Sequence, residues 1–283
     1  MSDEKKKVLL LGVTGGVGEE VGRALAADNY EVYATCRGAE QRDRLEAEGL
    51  YHRVLLLDLG SMASIDAAFA ELTAAGVTQL DGLINCAAML HGTPLEFVSE
   101  KEMHHVFQTN VFGTLHAVQL AIPLLRKTRG RVVLVGALAG SFVMPMTGIY
   151  SASKFALEAL CDALRRELYP WGIKVVLVKP GAIATKMFFG HLEDVRRERA
   201  SLQGDEKLYE PLYRAHEESI PKATRMAVST AKVAKLTVLG LTARNPQARY
   251  YPGIDSKLTG LFVRILPDSA LDWLSKHAFF PLD

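Results

Sequence analysis

The chain has 283 residues, 49% of them hydrophobic, and a formal net charge of +1. It is long enough for one α/β domain with a modest appendage and can bury a large core. Because no basic tract or acidic tail is present, the composition gives no indication of a nucleic-acid partner. The three cysteines, Cys36, Cys86 and Cys161, are far apart in the sequence, so we expect neither a disulfide framework nor a zinc site and favour reduced thiols in a cytoplasmic protein.

The N-terminal region carries consecutive lysines before the apolar run Val8–Leu11. That run is too short for a signal peptide, and Gly12 interrupts it. No stretch of about 18 or more apolar residues occurs in the chain, so no integral membrane segment is expected.

Short apolar runs alternate with helical patterns from residue 7 to about residue 180. The strand candidates are Lys7–Gly12, Tyr30–Cys36, Arg53–Leu57, Gly82–Cys86, Gly130–Gly136 and Ile173–Lys179. The helical candidates are Gly18–Ala27, Ser61–Ala75, Glu100–Arg126 and Tyr150–Tyr169. Most of the apolar runs lack polar alternation, which is typical of strands buried on both faces of a parallel sheet. We therefore predict an α/β fold, a doubly wound Rossmann-type and mostly parallel sheet with helices on both faces.

Two segments extend this core within a single domain that we assign to residues 1–283. Residues 186–225 are rich in charged and aromatic residues and are predicted to form a helical substrate lid. A helix near Thr230–Thr242 and a short strand near Arg249–Tyr251 would complete the sheet. Residues 256–283 are predicted to form a C-terminal helical extension, which either packs against the body, encloses an apolar substrate or touches a membrane.

Glycines occupy the turn from the first strand to the first helix. They allow a tight turn and a close approach of the backbone to a pyrophosphate, while the helix N-terminus offers free N–H groups. We assign Gly12, Thr14, Gly16, Val17 and Gly18 to this candidate phosphate loop. The alternative is a flexible turn that binds no ligand.

The second strand ends at Cys36 without the acidic residue that would bond the adenosine ribose of NAD(H). Arg37 follows it and offers a fork of donors to a 2′-phosphate. The sequence therefore favours NADP(H) over NAD(H).

Tyr150 and Lys154 stand four residues apart at the start of a predicted helix, so they share one helix face. A nearby ammonium favours the phenolate, and we expect it to lower the pKa of Tyr150 toward neutral pH. Such a tyrosine can exchange a proton with an alcohol oxygen. Because this pair is also common on exposed helices, it needs support from the rest of the chain.

Further motifs accompany the pair in a fixed order between residues 7 and 185. They are Gly12-x-x-x-Gly16-x-Gly18, Asp58, Asn85-Cys86-Ala87-Ala88, Asn110, Tyr150-x-x-x-Lys154 and Pro180-Gly181-x-x-x-Thr185. This set resembles the motifs of the short-chain dehydrogenase/reductase family. The amino-acid sequence around Tyr33–Arg37 and Tyr150–Leu160 is most similar to the hydroxysteroid and retinol dehydrogenase branch of that family. The resemblance implies a nicotinamide-dependent oxidoreductase that forms a homodimer or homotetramer.

The resemblance also implies roles for individual residues. At the adenosine end of the cofactor, Asp58 and Leu59 would contact the adenine, and Asn85 and Ala87 the ribose. At the nicotinamide end, Lys154 would bind the ribose hydroxyls. Ile183 and Thr185, which follow Pro180 and Gly181, would bind the carboxamide. Tyr150 would transfer the proton, Lys154 would tune it, and Asn110 would position a water in a proton relay.

The sequence departs from the family pattern at several positions. Leu11 stands where the family usually has Thr, and Cys86 and Ala88 replace Asn and Gly. The more serious departure is Ala137, thirteen residues before Tyr150, where the family has its catalytic Ser. Alanine has no donor to polarise a carbonyl.

Three explanations for Ala137 compete. The chain is a Ser→Ala variant made to trap a bound substrate, or a natural protein in which Ser141 or Thr147 supplies a substitute hydroxyl, or a natural protein with weak or altered activity. Because the other catalytic positions are intact, we favour the first.

Apolar side chains cluster near the strand ends and the predicted lid. They are Met89, Phe142, Val143, Met144, Met187 and Phe188. They form either the walls of an apolar substrate pocket or the packing of core and lid. The histidines show no H-E-x-x-H spacing, so no metal is expected.

We therefore expect an NADP(H)-dependent oxidoreductase that interconverts an apolar secondary alcohol and a ketone by Tyr-assisted hydride transfer. One alternative is a non-catalytic protein that keeps the cofactor site. The other is non-redox chemistry, such as dehydration or epimerisation, in the same pocket.

Overall fold

A parallel sheet forms the centre of the computed structural model, which describes residues 5–225 and 227–279. Its strands are β1 (Lys7–Leu11), β2 (Glu31–Cys36), β3 (Arg53–Leu56), β4 (Gly82–Asn85), β5 (Arg131–Val135), β6 (Lys174–Val178) and β7 (Arg249–Tyr250). Their order is β3-β2-β1-β4-β5-β6-β7, and every neighbouring pair is parallel. The predicted doubly wound fold is confirmed. The order reverses between β1 and β4, which is where such sheets bind ligands.

Helices cover both faces of the sheet. They are α1 (Gly16–Ala27), α2 (Ala39–Ala47), α3 (Met62–Ala74), α4 (Glu100–Phe107), α5 (Gly113–Thr128), α6 (Gly148–Glu167), α7 (Lys186–Ala200), α8 (Glu210–Arg225), α9 (Thr230–Thr242), α10 (Ile254–Ile265) and α11 (Asp268–Phe279). Alternate residues of β1 enter opposite cores: Leu9 and Leu11 pack on the side of α3, α5 and α6, and Val8 and Leu10 on the side of α1 and α9. This two-sided burial explains why the strand has no polar alternation.

The predicted helix Glu100–Arg126 is wrong in one respect, since it is not continuous. A π-helical turn at Gln108–Phe112 separates α4 from α5. The helix α2 was not predicted at all, because Leu45 is its one buried residue and it has no apolar stripe. The helices α1 and α6 begin two residues before the predicted starts, at Gly16 and Gly148.

The segment predicted as a lid contains α7 and α8, which enclose a small core of their own. Its buried members are Met146, Val195, Tyr213 and Ile220. The two helices therefore pack on the loop that precedes Tyr150. Their role as a substrate lid stays a prediction.

The C-terminal extension contains α10 and α11, and residues 280–283 lie outside the described part of the chain. The helix α10 exposes Leu258, Leu261, Phe262 and Ile265, which are spaced along one face. The expectation that the apolar residues of this tail pack against the body is therefore wrong for these four. Among the described residues, no helix is both long enough and apolar enough to cross a membrane.

A histidine pair lies between α7 and α8. His191 and His216 are both buried, and their Nε2 atoms lie 3.0 Å apart, so one neutral ring donates a hydrogen bond to the other. Burial lowers the pKa of both to about 4, from an ordinary value of 6.5. His91 and Asp194 are the other titratable groups that act on His191, in opposite directions.

We predict that this pair makes the packing of α7 and α8 sensitive to acid. Between pH 6.5 and 4 both histidines are protonated in the unfolded chain but stay mostly neutral in the folded protein. The free energy of unfolding is therefore highest above pH 6.5 and decreases as the pH falls toward 4. Each histidine contributes up to about 1.4 kcal/mol per pH unit. Urea unfolding between pH 7 and 4 measures the pH dependence of the free energy of unfolding, and hydrogen exchange of α7 and α8 measures it locally. The variant H191Q/H216Q should show a shallower dependence, whereas His104→Gln, at an exposed site, should match the parent. Equal slopes in all three proteins would contradict the prediction.

Candidate active site

The candidate phosphate loop joins β1 to α1, and its glycines are required by packing. Gly12 has a φ of +80°, and an added Cβ would stand 2.7 Å from the Cβ of Ala87. A Cβ on Gly18 would collide with the carbonyl oxygen of Gly12. Only glycine permits both approaches, and they bring the loop against the end of β4.

The N-terminus of α1 fits an anion. Within the described residues, no side chain caps this helix, whose N-cap is Gly15. Its first N–H groups and positive dipole end suit a pyrophosphate between Thr14 and Val17. The Thr35 Oγ1 accepts a hydrogen bond from the N–H of Gly12 at 3.2 Å, so β2 supplies the turn with a hydroxyl that Leu11 cannot provide.

The residues expected near the adenine follow β3. Oδ1 of Asp58 accepts a hydrogen bond from the N–H of Gly60 at 2.9 Å. Leu59 is buried, and its carbonyl lies so close to α5 that a Cβ on Gly113 would collide with it. Arg37, directly after β2, is exposed and belongs to no ion pair among the described residues.

The side chain of Asn85 forms hydrogen bonds within the protein that fix the turn after β4. Its side chain is buried at the end of β4, where Nδ2 donates to Thr114 Oγ1 and Oδ1 accepts from the N–H of Ala87, both at 2.9 Å. These bonds fix the turn that meets Gly12. The side chain therefore shapes the crevice, and the backbone around Ala87 forms its wall.

Asn110 joins three parts of the site from within the π-helical turn. Its Oδ1 accepts from the N–H of Met89 at 2.8 Å, and its Nδ2 donates to the Met89 carbonyl at 2.9 Å and to Ser153 Oγ at 3.0 Å. The buried side chain thus connects the loop after β4 with α6. Since both amide hydrogens are used, the side chain could accept from a relay water but has no hydrogen left to donate to it.

Tyr150 and Lys154 lie on α6 as their spacing predicts. Lys154 is 2% exposed, its Nζ lies 5.7 Å from the centre of the Tyr150 ring, and it donates a long hydrogen bond of 3.5 Å to the carbonyl of Val135. A buried ammonium held by one long bond has donors to spare for a hydroxylated ligand. This arrangement fits the ribose of a nicotinamide cofactor.

The expected lowering of the Tyr150 pKa by Lys154 is wrong for this structure. Burial raises the pKa of Tyr150 and lowers the pKa of Lys154 to about 8. Desolvation disfavours the charged form of each group, and at this separation it outweighs their attraction. At neutral pH the tyrosine is therefore a phenol and the lysine is mostly an ammonium.

Ala137 lies in extended backbone between β5 and the short turn Leu138–Gly140. The two proposed substitutes for its missing hydroxyl are engaged elsewhere. Ser141 Oγ accepts from Lys179 Nζ and donates to Glu158 Oε1 at 3.4 Å, while Thr147 Oγ1 donates to the carbonyl of Met144 at 2.8 Å. The explanation that one of them replaces the serine is therefore not supported.

The segment after β6 runs beside the phosphate loop. The buried Pro180 accepts a hydrogen bond from the N–H of Leu138 at 2.7 Å, and Gly181 continues toward an isolated parallel bridge between Ile183 and Val228. Thr185 caps α7 by accepting from the N–H of Phe188, and its Cγ2 lies 3.6 Å from where a Cβ of Gly16 would stand. The carboxamide and phosphate candidates therefore belong to one crevice.

The predicted substrate residues divide into different environments. Val143 and Met187 are 48% and 44% exposed, and Phe142 and Met144 are half-buried. The backbone of Met89 is held by Asn110, next to the crevice. Phe188 packs against the small core of α7 and α8, so for this residue the packing alternative applies.

A polar cavity of about 120 Å³, which no sequence motif predicts, lies between the loop after β4 and α7. Its lining residues are Leu90, His91, Gly92, His191, Asp194, Arg197 and Glu198. Glu198 accepts from Thr93 Oγ1 at 2.9 Å and from the Tyr213 hydroxyl at 3.3 Å, and burial raises the pKa of its carboxyl. These residues are distant in the sequence, so no spacing could reveal the cavity.

Known proteins resemble this chain in both sequence and fold. A family model for short chain dehydrogenases matches residues 6–195. The 3-amino-tetrahydro-pyrrolizinone reductase of Xenorhabdus hominickii is 32% identical over 285 residues, covering 95% of this chain and 94% of that protein. The NADPH-dependent 3-dehydrocapnine reductase of Ornithobacterium rhinotracheale is 26% identical, with 93% and 94% covered. The structure of a short-chain dehydrogenase from Streptomyces avermitilis matches with a TM-score of 0.77 at 25% identity, covering 100% of both chains.

The matched residues include the glycine turn after β1 and the Tyr150–Lys154 pair on α6. The parallel sheet with its reversal between β1 and β4 supports the same assignment independently of sequence identity. The resemblance read from the motifs is therefore confirmed: this protein belongs to the short-chain dehydrogenase/reductase family, whose members bind a nicotinamide cofactor.

Proposed function

We propose that this protein is an NADP(H)-dependent oxidoreductase that interconverts an apolar secondary alcohol and a ketone. The observation that carries the proposal is the buried Lys154, whose ammonium has donors to spare beside the Tyr150 ring at the carboxyl edge of the sheet. A lysine so placed suits two ribose hydroxyls and a phenolic proton donor at once.

The crevice accommodates the cofactor from end to end in this proposal. The uncapped N-terminus of α1 holds the pyrophosphate, and the segments at Asp58 and Ala87 border the adenosine. Lys154 binds the nicotinamide ribose, and the segment Ile183–Thr185 holds the carboxamide. A bound cofactor supplies or accepts the hydride.

Tyr150 transfers the proton. In the direction of reduction its phenol donates to the carbonyl oxygen as that oxygen gains negative charge. The raised pKa keeps the proton on Tyr150 until the much more basic alkoxide develops. Lys154, mostly an ammonium at pH 7, stabilises the phenolate that remains, and Asn110 holds the helix α6 in register with the loop after β4.

NADP(H) is the proposed cofactor because β2 ends at Cys36 and is followed by Arg37, with no carboxylate there to bond a ribose 2′-hydroxyl. The exposed Arg37 has its donors available to a 2′-phosphate. The relative from Ornithobacterium rhinotracheale is named as an NADPH-dependent reductase, which supports this choice.

The substrate is proposed to be apolar because Phe142, Val143 and Met144 lie in the loop before Tyr150, and the similarity to the hydroxysteroid and retinol dehydrogenase branch agrees with it.

The exposed Phe112 and Phe155, near Asn110 and Tyr150 respectively, suit contacts in a homodimer or homotetramer. Three free cysteines agree with the proposed cytoplasmic localisation.

Restoring the missing donor is the principal test. We predict that Ala137→Ser raises kcat by roughly 10²–10³ in ketone reduction, because a hydroxyl then bonds the developing oxyanion. NADPH absorbance with a panel of apolar ketones measures turnover, and NADPH fluorescence measures cofactor binding. The double variant A137S/Y150F should bind NADPH like A137S but lose the gain in turnover.

Three outcomes would contradict the proposal. If neither NADPH nor NADH binds the parent, the cofactor site is not functional. If NADPH binds but Ala137→Ser gains no activity on any ketone, the non-catalytic alternative that Ala137 favours is the better one. Product formed without net cofactor turnover would instead indicate dehydration or epimerisation.

Arg37 determines the cofactor preference in this proposal. We predict that Arg37→Ala raises the Kd for NADPH about tenfold or more, since a charge-assisted bond is lost, and leaves the Kd for NADH unchanged. Isothermal titration with both cofactors checks this. Arg44→Ala, an exposed arginine on the neighbouring α2, is the matched control and should change neither Kd. An unchanged Kd for NADPH in Arg37→Ala would show that the preference has another origin.

A further inference from the structure

A buried ion pair lies next to the segments that would border the nicotinamide and takes no part in the proposed proton transfer. Lys179 follows β6 directly and is 1% exposed, and its Nζ pairs with Glu158 Oε1 on α6. The same Nζ donates to Ser141 Oγ in the loop after β5. Glu158 is one helical turn beyond Lys154 and two beyond Tyr150.

The pair joins three segments that border the reacting end of the cofactor. Gly140 lies on α6 so closely that a Cβ there would stand 2.8 Å from Glu158 Oε1 and 2.9 Å from the carbonyl of Lys154. Leu138, next to Ala137, bonds the carbonyl of Pro180, the residue after Lys179. The loop after β5, the helix α6 and the end of β6 therefore meet at this one pair.

Neighbouring charges complete the arrangement on the side of β7. Arg249 Nε lies 3.5 Å from Glu158 Oε2, and its Nη2 lies 3.0 Å from Asp162 Oδ1. Lys179 also lies 5.8 Å from the centre of the Tyr251 ring. The carboxylate of Glu158 thus receives two cations, and its Oε1 also accepts a long hydrogen bond of 3.4 Å from Ser141 Oγ. The contacts with Lys179 and Ser141, unlike that with Arg249, reach the segments that would border the nicotinamide.

Desolvation makes such a pair a poor source of stability. Apolar residues of similar volume would often stabilise a core as well or better. Loss of one partner, in contrast, leaves an uncompensated buried charge that must move toward water. Here that movement would displace the end of β6 and, through Ser141, the loop that holds Ala137.

Resting on the proposed function, we infer that Glu158 is a positioning residue for the nicotinamide half of the cofactor site. Through Lys179 and Ser141, it holds the loop Ala137–Ser141 and the segment beginning at Pro180 against the helix that carries Tyr150 and Lys154. It does not touch the adenosine half, which is built by the glycine turn, β2 and β3.

The test compares the whole cofactor with its adenosine half. Glu158→Gln should raise the Kd for NADPH about tenfold, while the Kd for 2′,5′-ADP stays within about twofold of the parent, because a charged bond is lost only at the nicotinamide end. If the parent prefers NADH, NADH and 5′-ADP replace these ligands. In the Ala137→Ser background, the same change should lower kcat more than it raises the KM for the ketone.

Two further variants separate positioning from general stability. Asp162→Asn removes the other carboxylate that pairs with Arg249, one turn along α6, and should leave both Kd values unchanged. Glu158→Asp keeps the charge and should recover part of the lost NADPH affinity. Equal losses for NADPH and 2′,5′-ADP in Glu158→Gln, or an Asp162→Asn variant that behaves like it, would overturn the inference. A parent that binds none of these nucleotides would instead overturn the proposed function, and this inference with it.

Discussion

The close approach of Gly12 to Ala87 is the constraint on which the site depends. The strand order reverses between β1 and β4, so the turns after these strands leave in different directions and open a crevice. Gly12, at a φ of +80°, lets the first turn rest on the second, and Gly18 lets α1 begin directly beside it. Any side chain at either position would push the helix N-terminus away from the wall formed by β4, and a pyrophosphate could not contact both.

Much of this fold could be predicted because a doubly wound sheet leaves a strong pattern in the sequence. Strands buried on both faces need unbroken apolar runs, and β1, β4, β5 and β6 have them. The prediction failed where packing is weak or where a tertiary contact decides. The helix α2 buries only Leu45, so it has no periodic signal. The π-helical turn is stabilised by Asn110 contacts with Met89 and Ser153, which no local pattern contains.

The positions of the site residues along the fold could be predicted from the sequence, but the hydrogen bonds between them could not. The spacing of Tyr150 and Lys154 placed both on α6, and the glycines marked the turn after β1. Whether Ser141 offers its hydroxyl to a substrate depends on Lys179, which is 38 residues away. The polar cavity near α7 likewise brings His91 to His191 and Glu198, residues that share no motif. Contacts of this kind follow only from tertiary packing: the first from the approach of the end of β6 to the loop after β5, the second from the packing of α7 against the loop after β4.

Burial of the Tyr150–Lys154 pair increases the importance of the missing serine. Desolvation favours the neutral form of both groups. Tyr150 is therefore a weaker acid than an exposed tyrosine, and Lys154 loses its proton at a lower pH than an exposed lysine. A weaker acid gives up its proton later, after more negative charge has developed on the substrate oxygen. During that interval the oxygen needs another hydrogen-bond donor, and position 137, at the end of β5, is where the family places it. Alanine offers none, and the nearby hydroxyls of Ser141 and Thr147 are bonded within the protein. Under the proposed function, the burial that would let Lys154 hold a cofactor therefore leaves the chain better suited to binding its ligands than to converting them.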